Sequence, residues 1–347
     1  MTSPPERPPS IAVVGAGAIG CRIAAHLAAH GVRSTLFDGW AAHVEAIQQH
    51  GLTLEMAGQR QTHALPASVD SGVLPAERFD VVLLCTRSDG TERALPLVQR
   101  LLAPDGCVVS CQNGINEDAI AAAVGPGRTL GCSLVLGARL AAPGLVVALP
   151  GDDTLRTGEL QGGASARLDT ITALLSACGT STTTPNLMGY RWMKLVLNSI
   201  GNPLLLLSGM TAGELHALPQ ARNAMIALAR EVIAAGTADG VRFEPVLGVP
   251  ASTWLDTGAA PTQQLHDTLA RHGAALGPRR LSMVADFEAR GVTEVDFING
   301  HVVRKAGQHG LAAPRNARVV ELVHALEAGT LAQGAAVIGL LDATAPA

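Results

Sequence analysis

The chain has 347 residues, 48% of them hydrophobic and only 16% charged, with a formal net charge of -4. That balance excludes a basic nucleic-acid footprint, and an aromatic content of 3% leaves few rings to stack on bases. The length suits two domains, and Lys, Asn, Pro or Gly interrupts every apolar run before it reaches the span of a membrane.

The opening MTSPPERPPS is polar and Pro-rich and lacks the apolar core of a signal peptide. Residues 1–10 are expected as a flexible tail on a soluble, cytoplasmic protein. IAVVGAG (11–17) predicts a strand ending in glycines, and 19–31 an Ala-rich helix closed by Gly31. STLFD (34–38) predicts a strand, 43–51 a helix, DVVLLC (80–85) a buried strand, and 91–102 a helix. CVVSCQNG (107–114) predicts a strand running into a turn, followed by helix 115–124 and a strand near 129–136. Such alternation means a parallel, doubly wound α/β sheet of Rossmann type.

Residues 140–160 read as short strands joined by Pro/Gly turns, an antiparallel extension at the sheet edge. Helix 164–179 and strand TSTTT (180–184) complete a dinucleotide-type domain over 11–184. Beyond Pro185 the period is helical, over 187–210, 219–238, 262–272, 281–308 and 314–328. An all-α domain is therefore expected over 185–345, with 241–261 an irregular insertion or lid and the end a short helix and loose tail. Cys21, Cys85, Cys107, Cys111, Cys132 and Cys178 form no CxxC pair, and Cys107 and Cys111 have no nearby histidine. Buried free thiols are expected and no metal site.

GAGAIG (15–20) fits G-x-G-x-x-G, directly after a strand and opening a helix. Gly15 would make the tight turn, Gly17 would admit a pyrophosphate, and Gly20 would let helix and strand close up. The N–H groups around Ala18 and Ile19 would face the phosphates. Asp38 ends the second strand, where a carboxylate bonds both adenosine ribose hydroxyls and repels a 2′-phosphate. The following GWAAH offers no Arg or Lys, so local chemistry favours NAD(H).

WMKLVLNSIGNPLLLL (192–207) is nearly all apolar, yet carries Lys194, Asn198 and Asn202. Residues i, i+4 and i+8 of a helix drift by only about 40° per step, so the three form one polar stripe. On a helix apolar on its other sides, that stripe faces a buried carboxylate, a polar cleft or solvent at an edge.

These pieces occur in order with QNG (112–114) and LSMVADFEARGVTEVDFINGHVVRKAGQHGLAAPRN (281–316). Together they resemble the ketopantoate reductase family over about residues 10 to 330, GYRWMKLVLN and SMxxDxxxxxxTExDxxNG being the most specific. The resemblance implies a Rossmann domain joined to an all-α domain like that of 6-phosphogluconate dehydrogenase, with the active site in the cleft and often a homodimer. It implies NAD(P)H-dependent reduction of a 2-oxo acid, in the family 2-dehydropantoate to pantoate. By the same resemblance Lys194 is the catalytic lysine, Asn198 and Asn202 the helix amides, and Ser282 a substrate-binding serine. Glu294 is the acid of the TE motif, and Asn113 lies beside the nicotinamide ribose and substrate.

The chemistry agrees: an ammonium can stabilise and protonate the oxygen that gains charge as hydride reaches a ketone. A carboxylate such as Glu294 would hold the lysine charged. Plainer roles stand beside these: Glu294 as a helix-surface acid, Ser282 as a helix cap, Asn113 as a turn residue. Two departures stand out. Arg87 occupies the place of the family's usual lysine after the fourth core strand, and Asp38-Gly39-Trp40 replaces the arginine that binds the NADPH phosphate. The family thus favours NADPH where local residues favour NADH. Arg279 and Arg280 precede Ser282, as carboxylate contacts or as solvated charges. Alternatives are an NAD-linked D-2-hydroxy acid dehydrogenase working oxidatively and a non-catalytic dinucleotide-binding regulatory protein. No nucleic-acid or membrane partner is expected.

Overall fold

A computed structural model describes residues 8–69 and 78–341. The chain divides into two compact units, Met1–Leu187 and Met188–Ala347. In the first unit β1 (Ile11–Val14), α1 (Ala18–Ala29), β2 (Ser34–Asp38) and α2 (Ala41–His50) come first. Then follow β3 (Leu52–Met56), β4 (Gln59–His63), β5 (Ala67–Val69), β6 (Phe79–Leu84), α3 (Thr91–Leu101) and β7 (Leu102–Ser110). The unit continues through α4 (Glu117–Val124), β8 (Thr129–Val135), β9 (Ala138–Ala142), β10 (Leu145–Ala148), β11 (Thr154–Glu159), α5 (Ala166–Leu175) and β12 (Thr180–Thr183).

Among the described residues the main sheet has the order β12-β11-β8-β7-β6-β1-β2-β5. Only the pairing of β11 with β8 is antiparallel. From β1 the chain steps outward to β2, then returns to β6 on the other side of β1. Strand order reverses there, and in open α/β sheets ligands bind at the carboxyl ends beside such a point. Alternate residues of β1 serve two cores. Val13 joins Ile23, Leu27 and Ile171, from α1 and α5. Ala12 and Val14 join Val98, Leu101 and Ile120, from α3 and α4.

The strands expected as one antiparallel edge extension divide between two sheets. Only β11 joins the main sheet; β9 and β10 belong to a second sheet, β4-β3-β10-β9. Its hairpin partner β3–β4 went unpredicted because its turn is Ala57-Gly58, both at positive φ, where a turn signal would be Asn-Gly. Leu52, Leu54 and Val146 pin this small sheet to the core around α1. The expected tail over 1–10 is also shorter: Ser10 is tied to Asp80 by its N–H and its hydroxyl, both at 2.9 Å. Residues 1–7 lie outside the described ones.

In the second unit α6 (Leu187–Ser208), which starts one residue earlier, precedes α7 (Ala212–Ala217), α8 (Pro219–Ala238) and α9 (Ala251–Leu255). Then come α10 (Ala259–Leu276), α11 (Ser282–Arg290), α12 (Asn299–Gln308) and α13 (Pro314–Glu327). The single helix expected over 281–308 is broken. Gly291 adopts φ 73 and closes α11 by donating its N–H to Phe287 O at 2.8 Å. Segment 241–261 is stapled down rather than standing off as a lid. Trp254 is fully buried, Arg230 donates to Trp254 O at 2.8 Å, and Phe243 meets Trp192 edge to face. A 3₁₀ turn, Ala335–Leu341, ends the described chain, so the expected tail lies outside it.

One feature of α6 reaches further. Pro203 lies inside the helix and has no N–H to give the carbonyl four residues back, that of Ser199. Asn299, fully buried at the start of α12, donates to that carbonyl instead at 3.2 Å. Its Nδ2 also reaches Asn316 Oδ1 at 2.9 Å, and Asn316 Nδ2 reaches Glu231 Oε2 at 2.8 Å. A buried amide relay therefore takes up the carbonyl that Pro203 leaves open and ties α6, α8, α12 and α13 together.

Candidate active site

In the first unit the three glycines of the loop have three different environments. Gly15 adopts φ 93, and a Cβ there would lie 2.6 Å from the N of Thr86. Its own N–H bonds Phe37 O at 2.8 Å, which fixes the turn to β2. A Cβ on Gly20 would lie 2.1 Å from Gly15 O, so only glycine lets α1 start so close to β1. A Cβ on Gly17 would meet no atom within 4 Å. Gly17 is also the N-cap of α1 and offers no side-chain cap, while Ala18 and Ile19 in the first turn are half-buried. Open backbone N–H groups at the positive end of a helix fit a pyrophosphate.

Around this loop the carboxyl ends of the strands supply polar groups. Asp38 ends β2 and accepts the N–H of Trp40 at 2.8 Å. Arg87, half-buried after β6, lies 3.4 Å from Asp89. Gln112, buried after β7, donates to Thr86 Oγ1 at 3.0 Å and Thr91 Oγ1 at 2.8 Å. Asn113 O accepts from Ser88 Oγ at 2.7 Å and Asn116 Nδ2 at 2.8 Å. The loops after β6 and β7 are thus cross-linked into one rigid rim that holds Arg87 and Asn113 beside the glycine turn. Ser88, Gln112 and Asn116 escaped the sequence reading; Gln112 stood in the QNG motif, but its side-chain N–H groups donate to residues more than 20 positions away.

In the second unit Lys194, Asn198 and Asn202 occupy successive turns of α6 as one row. Lys194 and Asn198 are half-buried, and Asn202 is buried. The Asn198 Nδ2 is buried and makes no hydrogen bond among the described residues. A buried amide N–H without a partner is uncommon in folded proteins. Ser282 is the exposed first residue of α11, whose N-cap is Leu281; the capping role expected as an alternative is absent. Glu294 does not lie on a helix surface. It is buried at 6% exposure in the turn after α11, and its carbonyl accepts from Phe297 at 2.9 Å and Ile298 at 3.1 Å. Arg280 pairs with Glu288 at 2.7 Å on the surface, and Arg279 is exposed.

None of the six cysteines forms a disulfide, and burial raises Cys107 to about 11 and Cys178 to about 12. Among the described residues no cluster of three His, Cys, Asp or Glu could hold a metal ion, and no helix is long and apolar enough to cross a membrane.

The chain matches the family model for ketopantoate reductase PanE/ApbA over residues 11–162 and that for the PanE/ApbA C-terminal domain over 186–327. It is 28% identical to a 2-dehydropantoate 2-reductase of Pyrococcus horikoshii, covering 91% of this chain and 97% of that protein. A 2-dehydropantoate 2-reductase of Lactococcus lactis is 26% identical over the same shares. Among solved structures, D-mandelate dehydrogenase with NADH and anilino(oxo)acetate has a TM-score of 0.80 at 26% identity, over 92% of this chain and 99% of that one. A PanE/ApbA family ketopantoate reductase from Ralstonia eutropha has a TM-score of 0.77 at 25% identity, over the same shares.

Proposed function

Because the chain belongs to the ketopantoate reductase PanE/ApbA family, nicotinamide-dependent oxidoreductases that reduce 2-oxo acids, we propose that Lys194 is its general acid. The observation that carries this reading is the row on α6, a lysine one turn from an asparagine whose buried Nδ2 has no partner among the described residues. NAD(P)H, when bound, would supply the hydride that the ketone carbon accepts. As charge gathers on the ketone oxygen, the Lys194 ammonium stabilises it and passes over a proton. Glu294 keeps the lysine charged and oriented. Asn198, Asn202, Ser282 and Asn113 grip the carboxylate and hydroxyl groups of the acid. Gly15, Gly17, Ala18, Ile19 and Gly20 take the pyrophosphate, and Arg87 a phosphate or ribose oxygen. Single-turnover reduction by Lys194→Ala tests the assignment; turnover near that of the intact protein removes the lysine from the mechanism.

For the cofactor we propose NAD(H). Asp38 ends β2 and Gly39-Trp40 follows it, with no cation for a 2′-phosphate before Arg60. Saturation with NADH against NADPH decides this. A strong preference for NADPH overturns it. 2-Dehydropantoate is the first substrate to try, within a panel of branched, aromatic and dicarboxylic 2-oxo acids. The Asp38 carboxylate and the likeness to an NADH-bound D-mandelate dehydrogenase favour one second reading, oxidation of a D-2-hydroxy acid with NAD. Direction of turnover at physiological cofactor ratios separates the two. We also propose a homodimer, the state described for the dimeric ketopantoate reductase of Staphylococcus aureus. Light scattering of the purified chain measures it.

A further inference from the structure

The chain has three tryptophans. Trp192 and Trp254 are fully buried in the second unit, but Trp40 is 47% exposed in the first. A large ring left in water at the end of β2 forgoes burial that the fold could have used. Its position is nonetheless tightly defined. The Trp40 N–H donates to the Asp38 carboxylate at 2.8 Å, and the indole lies flat on His43, with centroids 5.4 Å apart and planes 14° apart.

His43 is itself fully buried and held at both nitrogens. Gly144 N–H donates to its Nδ1 at 3.0 Å, which leaves the ring proton on Nε2. That nitrogen faces Cys21 Sγ at 3.3 Å, and the thiol donates to Ala16 O at 2.9 Å, inside the glycine turn. An exposed ring thus rests on a rigid support wired to the phosphate loop.

The acid ending β2 bonds the adenosine ribose. The base is attached to the ribose carbon next to the 2′-hydroxyl, so it leaves the sugar beside the residue whose N–H holds that acid. Aromatic faces stack on any purine regardless of its substituents. We infer that Trp40 is the stacking platform for the adenine base of the cofactor, and that His43 is its fixed backing. This inference rests on the reading of Asp38 as the ribose ligand.

Calorimetry on the full-length chain with ADP-ribose, and separately with NADH and nicotinamide mononucleotide, tests it. Trp40→Ala should raise the ADP-ribose Kd about tenfold, and Trp40→Phe should recover most of that loss. Nicotinamide mononucleotide, which has no adenine, should bind the variants and the intact chain alike. In fluorescence, ADP-ribose should quench part of the tryptophan emission of the intact chain and none in Trp40→Phe. An ADP-ribose Kd for Trp40→Ala within twofold of the intact chain, while NADH still binds, overturns the platform and leaves the proposed function standing. Failure of the intact chain to bind NADH overturns both.

Discussion

The glycine turn of the first unit and the polar row on α6 hold their chemistry in opposite ways. At the turn the groups proposed to bind are backbone N–H donors, and the side chains matter by being absent: Gly15, Gly17 and Gly20 differ in what a Cβ would strike. On α6, by the proposal above, the groups are side chains: Lys194, Asn198 and Asn202 stand one turn apart on a helix that carries Pro203. The first kind of site is inseparable from its fold. The second can be erased while its helix stands.

The sharpest way to break that contrast is Lys194→Ala. Loss of a general acid should lower kcat by about 10²–10⁴-fold, with the melting temperature and the NADH Kd nearly unchanged. A large loss of stability would mean that the α6 row is structural after all. Next comes Asp38→Ala, a side-chain contribution at the backbone-built end. Removing a charged acceptor should weaken NADH by about tenfold or more and leave NADPH less affected. Equal losses for both cofactors would remove Asp38 from ribose recognition.

Within the turn itself the glycines should separate. Gly20→Ala forces a Cβ onto Gly15 O and should destabilise the chain by about 1–3 kcal/mol, read as a lower melting temperature. Gly17→Ala, with open space around the new methyl, should melt like the intact chain but bind NADH more weakly. If both variants melt alike, the difference in their surroundings has no energetic meaning.

The smallest effect is a control at a residue belonging to neither the glycine turn nor the α6 row. Burial alone would raise the Glu159 carboxyl, but hydrogen bonds from Arg167 and Ser165 outweigh it and hold it below the ordinary carboxylate range. Its stabilisation is therefore present above the unfolded-state pKa and lost as pH falls through the lower folded value. Chemical denaturation against pH should show a shallower acid decline for Glu159→Gln than for the intact chain, with the pH dependence of turnover unaltered.

What could be read from sequence follows the same division. The glycine turn was legible because its spacing encodes backbone geometry, and strand, turn and helix all lie within 20 residues of each other. The row on α6 was legible as a stripe, but the catalytic role proposed for it came from the resemblance, because period alone does not say what a stripe faces. The rim of Ser88, Gln112 and Asn116 was not legible, since its bonds join loops far apart in the chain. The β3–β4 hairpin was hidden by Ala57 in a left-handed turn, and the break at Gly291 by the helical period on both sides of it. Asn299 stood in the quoted motif without a role, because its partner is a carbonyl that only a proline four residues further along α6 sets free.

That proline ties two distant positions together in sequence space. Where Pro203 is present, truncating Asn299 strands the Ser199 carbonyl in a dry interior; where residue 203 is alanine, the ladder has its missing rung and the same truncation is far milder. The order in which such changes can accumulate is thereby constrained, and a descendant that has lost the proline is free to let the asparagine drift.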